Sequence, residues 1–400
     1  MRRTAVRATA VLASLALGLA ACGGEEPATG AAPSSATAPP SASASAEPPA
    51  GGPGDDAEAR VAAALEALDR REEIAQLFVV GVPADALGSG AGLVEQGVGG
   101  IFLAGRPAAP AAELAELTAG WQADATGPGL WIAVDQEGGA VQTLKGPGFD
   151  RLPPATDQGD LPAGQLAELA GRLGSQLRDA GINLNLAPVV DVVPAGTEDT
   201  NGPIGVFDRQ YGSTGAEVTP AAGAVVDGLA AAGVTATLKH FPGLGRVRGN
   251  TDDTADVVDP VTTAGDDQVT AFAGTLAAAD APPMVMTSSA TYGRIDPTAP
   301  AAFSPVVVRE LLRGTLGFTG PVISDDLGNA AAVAATPVGE RAIRFLAAGG
   351  TLVLTVAPTT FPAMLEAVEE RSAADPAFAA TVDAAVRTAL LAKAEAGLLD

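Results

Sequence analysis

The sequence predicts an α/β protein: a single (β/α)8 TIM barrel preceded by a signal peptide and a disordered tether. Three observations predict it. From Asp56 onward, apolar runs of about five to eight residues alternate with amphipathic stretches of about ten to eighteen, the pattern of a parallel sheet whose strands are covered on both faces. The apolar runs number eight, the count that closes a barrel with right-handed crossovers. No GxGxxG turn follows the first run, which is the feature that would favour the competing architecture, a doubly wound open sheet.

The chain opens MRRTAVRATAVLASLALGLAAC, with Arg2, Arg3 and Arg7 ahead of an apolar stretch from Val11 to Leu19. Residues 1–21 therefore read as a signal peptide, too short to span a membrane. Leu19-Ala20-Ala21-Cys22 is similar to a bacterial lipobox, so Cys22 is expected to carry lipid after cleavage. It is the single cysteine of the chain, which leaves an exported domain with no internal disulfide and a core that must hold itself. Residues 22–57 are largely Ala, Pro, Ser and Gly; too poor in large apolar groups to offset their ordering entropy, they read as a disordered tether. Residues 58–400 are the expected barrel domain. The protein is thus expected outside the cytoplasm, lipid-anchored to the cell membrane. A monomer is expected too, on no positive signal in the sequence.

Within the barrel domain the strand candidates are Ala75–Val82, Gly99–Ala104, Trp131–Asp135, Asn183–Val189, Thr235–Lys239, Pro283–Thr287, Gly320–Ser324 and Gly350–Thr355. Helices are expected over Ala111–Asp124, Leu166–Ala180, Pro220–Ala232, Pro305–Leu316 and Gly339–Ala348, with Pro376–Leu398 completing the outer ring. Gly181, Gly233 and Gly317 follow three of them directly, where a left-handed residue closes a helix cheaply.

Chemistry in such barrels sits at the C-terminal ends of the strands, where the βα loops form an open mouth. Polar residues fall there in five strands: Asp135-Gln136-Glu137-Gly138-Gly139 after the third, Pro188 and Asp191 at the fourth, Lys239-His240-Phe241-Pro242-Gly243 at the fifth, Thr287-Ser288-Ser289 at the sixth and Ser324-Asp325-Asp326 at the seventh. A single carboxylate in such a place is usually a helix cap or a solvated loop residue. Five coincidences on one rim are better explained by a site. Carboxylates beside one Lys-His pair suit a substrate rich in hydroxyls and supply the two acids that glycosidic cleavage needs.

The net charge of −24, or −27 once the three leader arginines are gone, would repel nucleic acid. With one histidine and one cysteine in the chain, a zinc site of the usual kind is excluded. An all-oxygen cation site at Asp325-Asp326 is left open, while Asn250 with Asp252-Asp253 matches no calcium loop. No metal or cofactor is expected.

Seven segments together resemble the family 3 glycoside hydrolases, and within them the bacterial β-N-acetylglucosaminidases. They are GVGGIFLAG (97–105), AVDQEGG (133–139), APVVDV (187–192), Arg209 to Gly212, KHFPG (239–243), RELLRGTLGF (309–318) and VISDDL (322–327), in the family's order over most of residues 58–400. The resemblance implies a retaining, double-displacement reaction on a barrel domain, with Asp325 as covalent nucleophile and Asp135, Arg209, Lys239 and His240 contacting the sugar at subsite −1. It further implies an oligosaccharide or peptidoglycan-fragment substrate.

Two departures from the family pattern stand out. Where the acetylglucosaminidases carry an Asp-Ser-His triplet whose histidine is the acid/base, this chain reads Asn250-Thr251-Asp252, and His240 is its only histidine. Asp252 is the most economical replacement, with Asp253 in reserve, provided that its surroundings raise its pKa. The family's DQEGGRV with a further arginine is here broken by Ala140 and Thr143, and Arg151 is a candidate substitute. The sequence so supports two readings: a retaining exo-β-N-acetylglucosaminidase, or a catalytically silent sugar-binding lipoprotein that kept the barrel and lost its acid.

Overall fold

The computed structural model describes residues 53–399. The expected signal peptide, Cys22 and most of the expected tether lie outside the described residues. The first described element is the helix Pro53–Ala67, which begins ahead of the domain boundary expected at 58. Its Ala57 and Val61, one turn apart, are buried, and Arg60 donates to the Leu399 carbonyl at 3.2 Å. An i, i+4 apolar pair with a surface to cover is sufficient reason for the helix to extend into the Pro/Gly-rich approach.

Eight parallel strands follow: β1 (Phe78–Pro83), β2 (Gly100–Ala104), β3 (Trp131–Val134), β4 (Leu184–Asn185), β5 (Thr235–Phe241), β6 (Met284–Thr287), β7 (Val322–Ser324) and β8 (Val353–Thr355). They pair in the order β7-β6-β5-β4-β3-β2-β1-β8. The sheet closes on itself because Ile323 of β7 bridges Leu352, beside β8, and the Ser324 amide donates to the Leu352 carbonyl at 2.9 Å. Val79, Ile101, Ile132, Leu238, Val285 and Ile323 are fully buried, as expected of strands covered by helices outside and packed side chains inside. Gly81 is required where β1 meets β8: a Cβ there would stand 2.2 Å from the Val356 carbonyl oxygen.

The helices lie where the amphipathic stretches put them, among them Ala111–Asp124, Ala163–Asp179, Gly215–Ala231, Asp267–Ala278, Val306–Thr315, Val338–Ala347 and Pro376–Glu395. Gly181, Gly233 and Gly317 all have positive φ, as helix-closing glycines should. Two boundaries differ most from expectation. β4 pairs over Leu184–Asn185; beyond it the Leu186 amide and the Ala187 carbonyl still bond to β3 and β5 and Val189 bridges Lys239, but Pro188 has no N–H to complete the ladder. The helix expected to start at Pro220 starts at Gly215: Thr214 accepts the Glu217 amide at 3.3 Å and Glu217 accepts the Thr214 amide at 3.1 Å, a capping box one turn upstream of the proline.

Candidate active site

The βα loops enclose a cavity of about 280 Å³ at the C-terminal ends of the strands, bordered by Asp135, Arg209, Lys239, His240, Asp252 and Asp325. The first-choice residues from the sequence for catalysis and sugar contact are therefore all on one wall or another of the same space. Asp253 and Arg151 do not border it and are exposed. Arg151 is thus no substitute for the missing family arginine: it points its charge into solvent.

Strand geometry places the cationic side. Asp135 ends β3 and Glu137 follows two residues later, so the two face the same way along extended chain. Both reach Lys239 of β5, whose Nζ lies 2.6 Å from Asp135 Oδ1 and 2.6 Å from Glu137 Oε1. Glu137 also takes a two-pronged pair from Arg209, with Nε to Oε2 at 2.9 Å and Nη2 to Oε1 at 2.8 Å. Arg209 spends a further donor on the Pro203 carbonyl at 2.8 Å, which fixes the loop after β4 against the cavity. Burial alone would push the Glu137 carboxyl up, but Arg209 and Lys239 outweigh it and hold it at about 2. The same carboxylates raise the Lys239 ammonium against its own burial. A buried ion network of this kind adds little net stability; its effect is to hold four side chains in one arrangement.

Glu137 is the site residue that sequence reasoning missed. It was quoted within the AVDQEGG segment but given no role, since a glutamate before two glycines reads as loop. The available signal was its i, i+2 spacing from Asp135.

The His240 ring is held from beneath. Asp191, fully buried, accepts the His240 main-chain N–H at 3.1 Å and the Leu244 N–H at 2.7 Å on Oδ1, while Oδ2 lies 2.7 Å from His240 Nδ1. With Nδ1 so engaged, Nε2 is the nitrogen left for a ligand.

The carboxylate side comes from the loops after β5 and β7. The Asp325 amide donates to the Thr287 carbonyl at 3.1 Å, continuing the β7–β6 ladder past the strand end, and Asp325 Oδ1 accepts the Asp326 amide at 2.9 Å. Asp326 itself accepts Gly328 and Val356 amides on Oδ1, both at 2.8 Å, and the Asn329 amide on Oδ2 at 3.0 Å. It is thereby spent on the loop, whereas Asp325 borders the cavity with one oxygen not used in these bonds. Asp252 lies on the rim opposite. Burial of its carboxyl first, and the Asp325 charge second, push it up to about 6 against the opposing pull of His240 and Arg209. A carboxyl raised in this way beside a second one is the arrangement that acid/base and nucleophilic work require.

Residues 70–389 match the family model described as "Glycosyl hydrolase family 3 N terminal domain". A β-hexosaminidase of Stenotrophomonas maltophilia is 38% identical over 291 residues, 70% of this chain and 82% of that protein. The β-hexosaminidase LpqI of Mycobacterium tuberculosis is 35% identical over 312 residues, 76% of this chain and 77% of that one. The crystal structure of β-N-acetylhexosaminidase from Beutenbergia cavernae superposes with a TM-score of 0.77 at 45% identity, covering 82% of this chain and 98% of that one. With its barrel closed, its polar residues gathered on the mouth and four-fifths of its length matched, the chain belongs to glycosyl hydrolase family 3 and is a glycoside hydrolase.

Proposed function

We propose that the protein is a retaining exo-β-N-acetylglucosaminidase that acts outside the membrane on peptidoglycan-derived or related glycans, held there by lipid at Cys22. Asp325 attacks the anomeric carbon, the glycosidic C–O bond breaks, and the leaving oxygen takes a proton from Asp252. Water then gives a proton to Asp252 and adds at the same carbon, which frees Asp325 and returns the sugar with its original configuration. Asp135, Arg209, Lys239 and His240 hold the sugar hydroxyls meanwhile.

The observation that carries the reading is that Asp252 and Asp325, from the loops after β5 and β7, border one cavity with the four polar contacts, and that Asp252 is pushed up to about 6. An acid in that range stays partly protonated where an ordinary aspartate would be ionised. The printed names of the relatives, β-hexosaminidase and β-N-acetylhexosaminidase, support N-acetylhexosamine as the sugar. The lipobox-like start supports the location.

The test is release of phenol from an aryl β-N-acetylglucosaminide. The wild type should turn over, with activity on poorly activated glycosides falling as pH rises through about 6, and Asp325→Ala should lose at least a thousandfold. Equal background rates for wild type and Asp325→Ala on every aryl β-glycoside would leave only a sugar-binding barrel.

A further inference from the structure

The loop that carries Asp325 is organised by an arginine that never reaches the cavity. Arg341 sits in the first turn of Val338–Ala347 and is buried. Among the described residues its guanidinium has no carboxylate within ion-pair distance; instead Nη1 donates to the Leu327 and Gly328 carbonyls at 2.8 and 2.9 Å, and Nε donates to the Thr336 carbonyl at 2.8 Å. A rigid planar fork with five donors can gather several carbonyls in a fixed geometry, where a lysine offers three donors on one point at the end of a flexible stem. The arginine therefore ties both ends of the 327–336 segment to one point. Desolvating a guanidinium for main-chain carbonyls alone is costly, and the return is a fixed loop.

That loop has a second partner. The Ala331 amide donates to the Asp252 carbonyl at 3.0 Å and the Ala332 amide to the Thr251 carbonyl at 3.1 Å. The segment bearing Asp252 is thus latched, backbone to backbone, onto the segment bearing Asp325. Asn250, Thr251 and Asp252 border the cavity from one side, and Asp325, Asp326, Asn329 and Ala330 from the other. Apart from these two hydrogen bonds, Asp252 has one local restraint, its own amide donating to Asn250 Oδ1 at 3.2 Å.

We propose that Arg341 is a positioning residue for proton transfer: by closing the 327–336 loop it presents the Ala331 and Ala332 amides that dock the Asp252 loop over the cavity. Its effect falls on the acid rather than on the nucleophile, because Asp325 is already held by the β6 ladder and by the Asp326 amide. The inference rests on Asp252 being the acid.

The experiment compares kcat/KM for a 2,4-dinitrophenyl and a methyl β-N-acetylglucosaminide in the full chain. The dinitrophenolate leaves with little protonation, whereas methanol needs a proton, so loss of acid positioning falls on the second substrate. Arg341→Met is one variant. The other is Ala331→Pro, which deletes a latch donor without touching Arg341. Ala331 opens a single helical turn and Ala330 before it is extended, with φ −57° and ψ 130°, so proline suits the backbone there. We expect each variant to lose at least about tenfold on the methyl glycoside and less than about threefold on the dinitrophenyl one. If Arg341→Met does not fold, Ala331→Pro decides alone. Equal losses on both substrates, or no loss on either, overturn the latch. Asp252→Ala separates the two claims: equal losses there remove Asp252 as the acid and this inference with it. A loss confined to the methyl glycoside, with none in the latch variants, refutes the latch and leaves Asp252 in its role.

Discussion

At the scale of single residues, the cavity is built by carboxylates in unlike surroundings. Glu137 is wedged between two cations and stays charged; Asp252 stands exposed on the rim, yet its carboxyl loses hydration among the loops beside Asp325 and is raised. The first is a structural anion, the second the proposed acid, and the difference lies in the neighbours. Asp325 could be picked out from its place after the seventh strand and from the family pattern. Glu137 could not, because its partners Arg209 and Lys239 stand 72 and 102 positions away along the chain, and a fully buried glutamate is rare on priors. Glu137→Gln should leave Arg209 and Lys239 as adjacent buried cations. We expect a loss of about 3–5 kcal/mol in stability and, in what still folds, a KM raised about tenfold. The pH dependence has a definite sign. A carboxyl held near 2 in the folded chain and near 4.3 in the unfolded one contributes stability that is present above about 4.3 and lost as pH falls toward 2. Urea unfolding between pH 6 and 3 should show a steeper decline in wild type than in the glutamine variant; parallel curves would contradict the pairing.

At the scale of elements, the strands were legible and some ends were not. Apolar runs name a buried strand by composition alone, so all eight were found within a few residues. β4 was overextended because Leu186 to Val190 is as apolar as a strand, although Pro188 cannot complete the ladder. The helix at Gly215 was started late because Pro220 was taken as its first residue, while the Thr214-x-x-Glu217 box upstream was the stronger start signal. The C-terminal helix holds a residue that no pattern singled out. Lys393 is fully buried, donates to Gln76 Oε1 at 2.6 Å, and is pushed by burial down to about 7. Between pH 7 and about 10 the unfolded chain binds a proton there that the folded chain does not, so stability rises with pH over that window. Lys393→Met should remove up to about 1.4 kcal/mol per pH unit of that slope, read from urea unfolding at pH 7, 8 and 9. An unchanged slope would mean that the amine reaches water.

At the scale of the whole molecule, the barrel sets the division of labour. Parallel strands deliver every C-terminal end to one mouth, so residues as far apart in sequence as Asp135 and Asp325 meet without any local signal. Fold class follows from periodicity, and the identity of the rim residues follows from fold class. The links between loops do not: the Arg341 fork and the latch from Ala331 to Asp252 run through main-chain atoms, which any sequence could supply. On the proposed mechanism Asp325 forms the covalent bond to sugar. Incubation with a 5-fluoro N-acetylglucosaminyl fluoride, followed by intact-mass and peptide mass spectrometry, tests it most directly. A mass increase of one fluorosugar mapping to the peptide with Asp325, absent in Asp325→Ala, is the predicted result. An adduct on any other residue, or none while the wild type still turns over aryl glycosides, would contradict it.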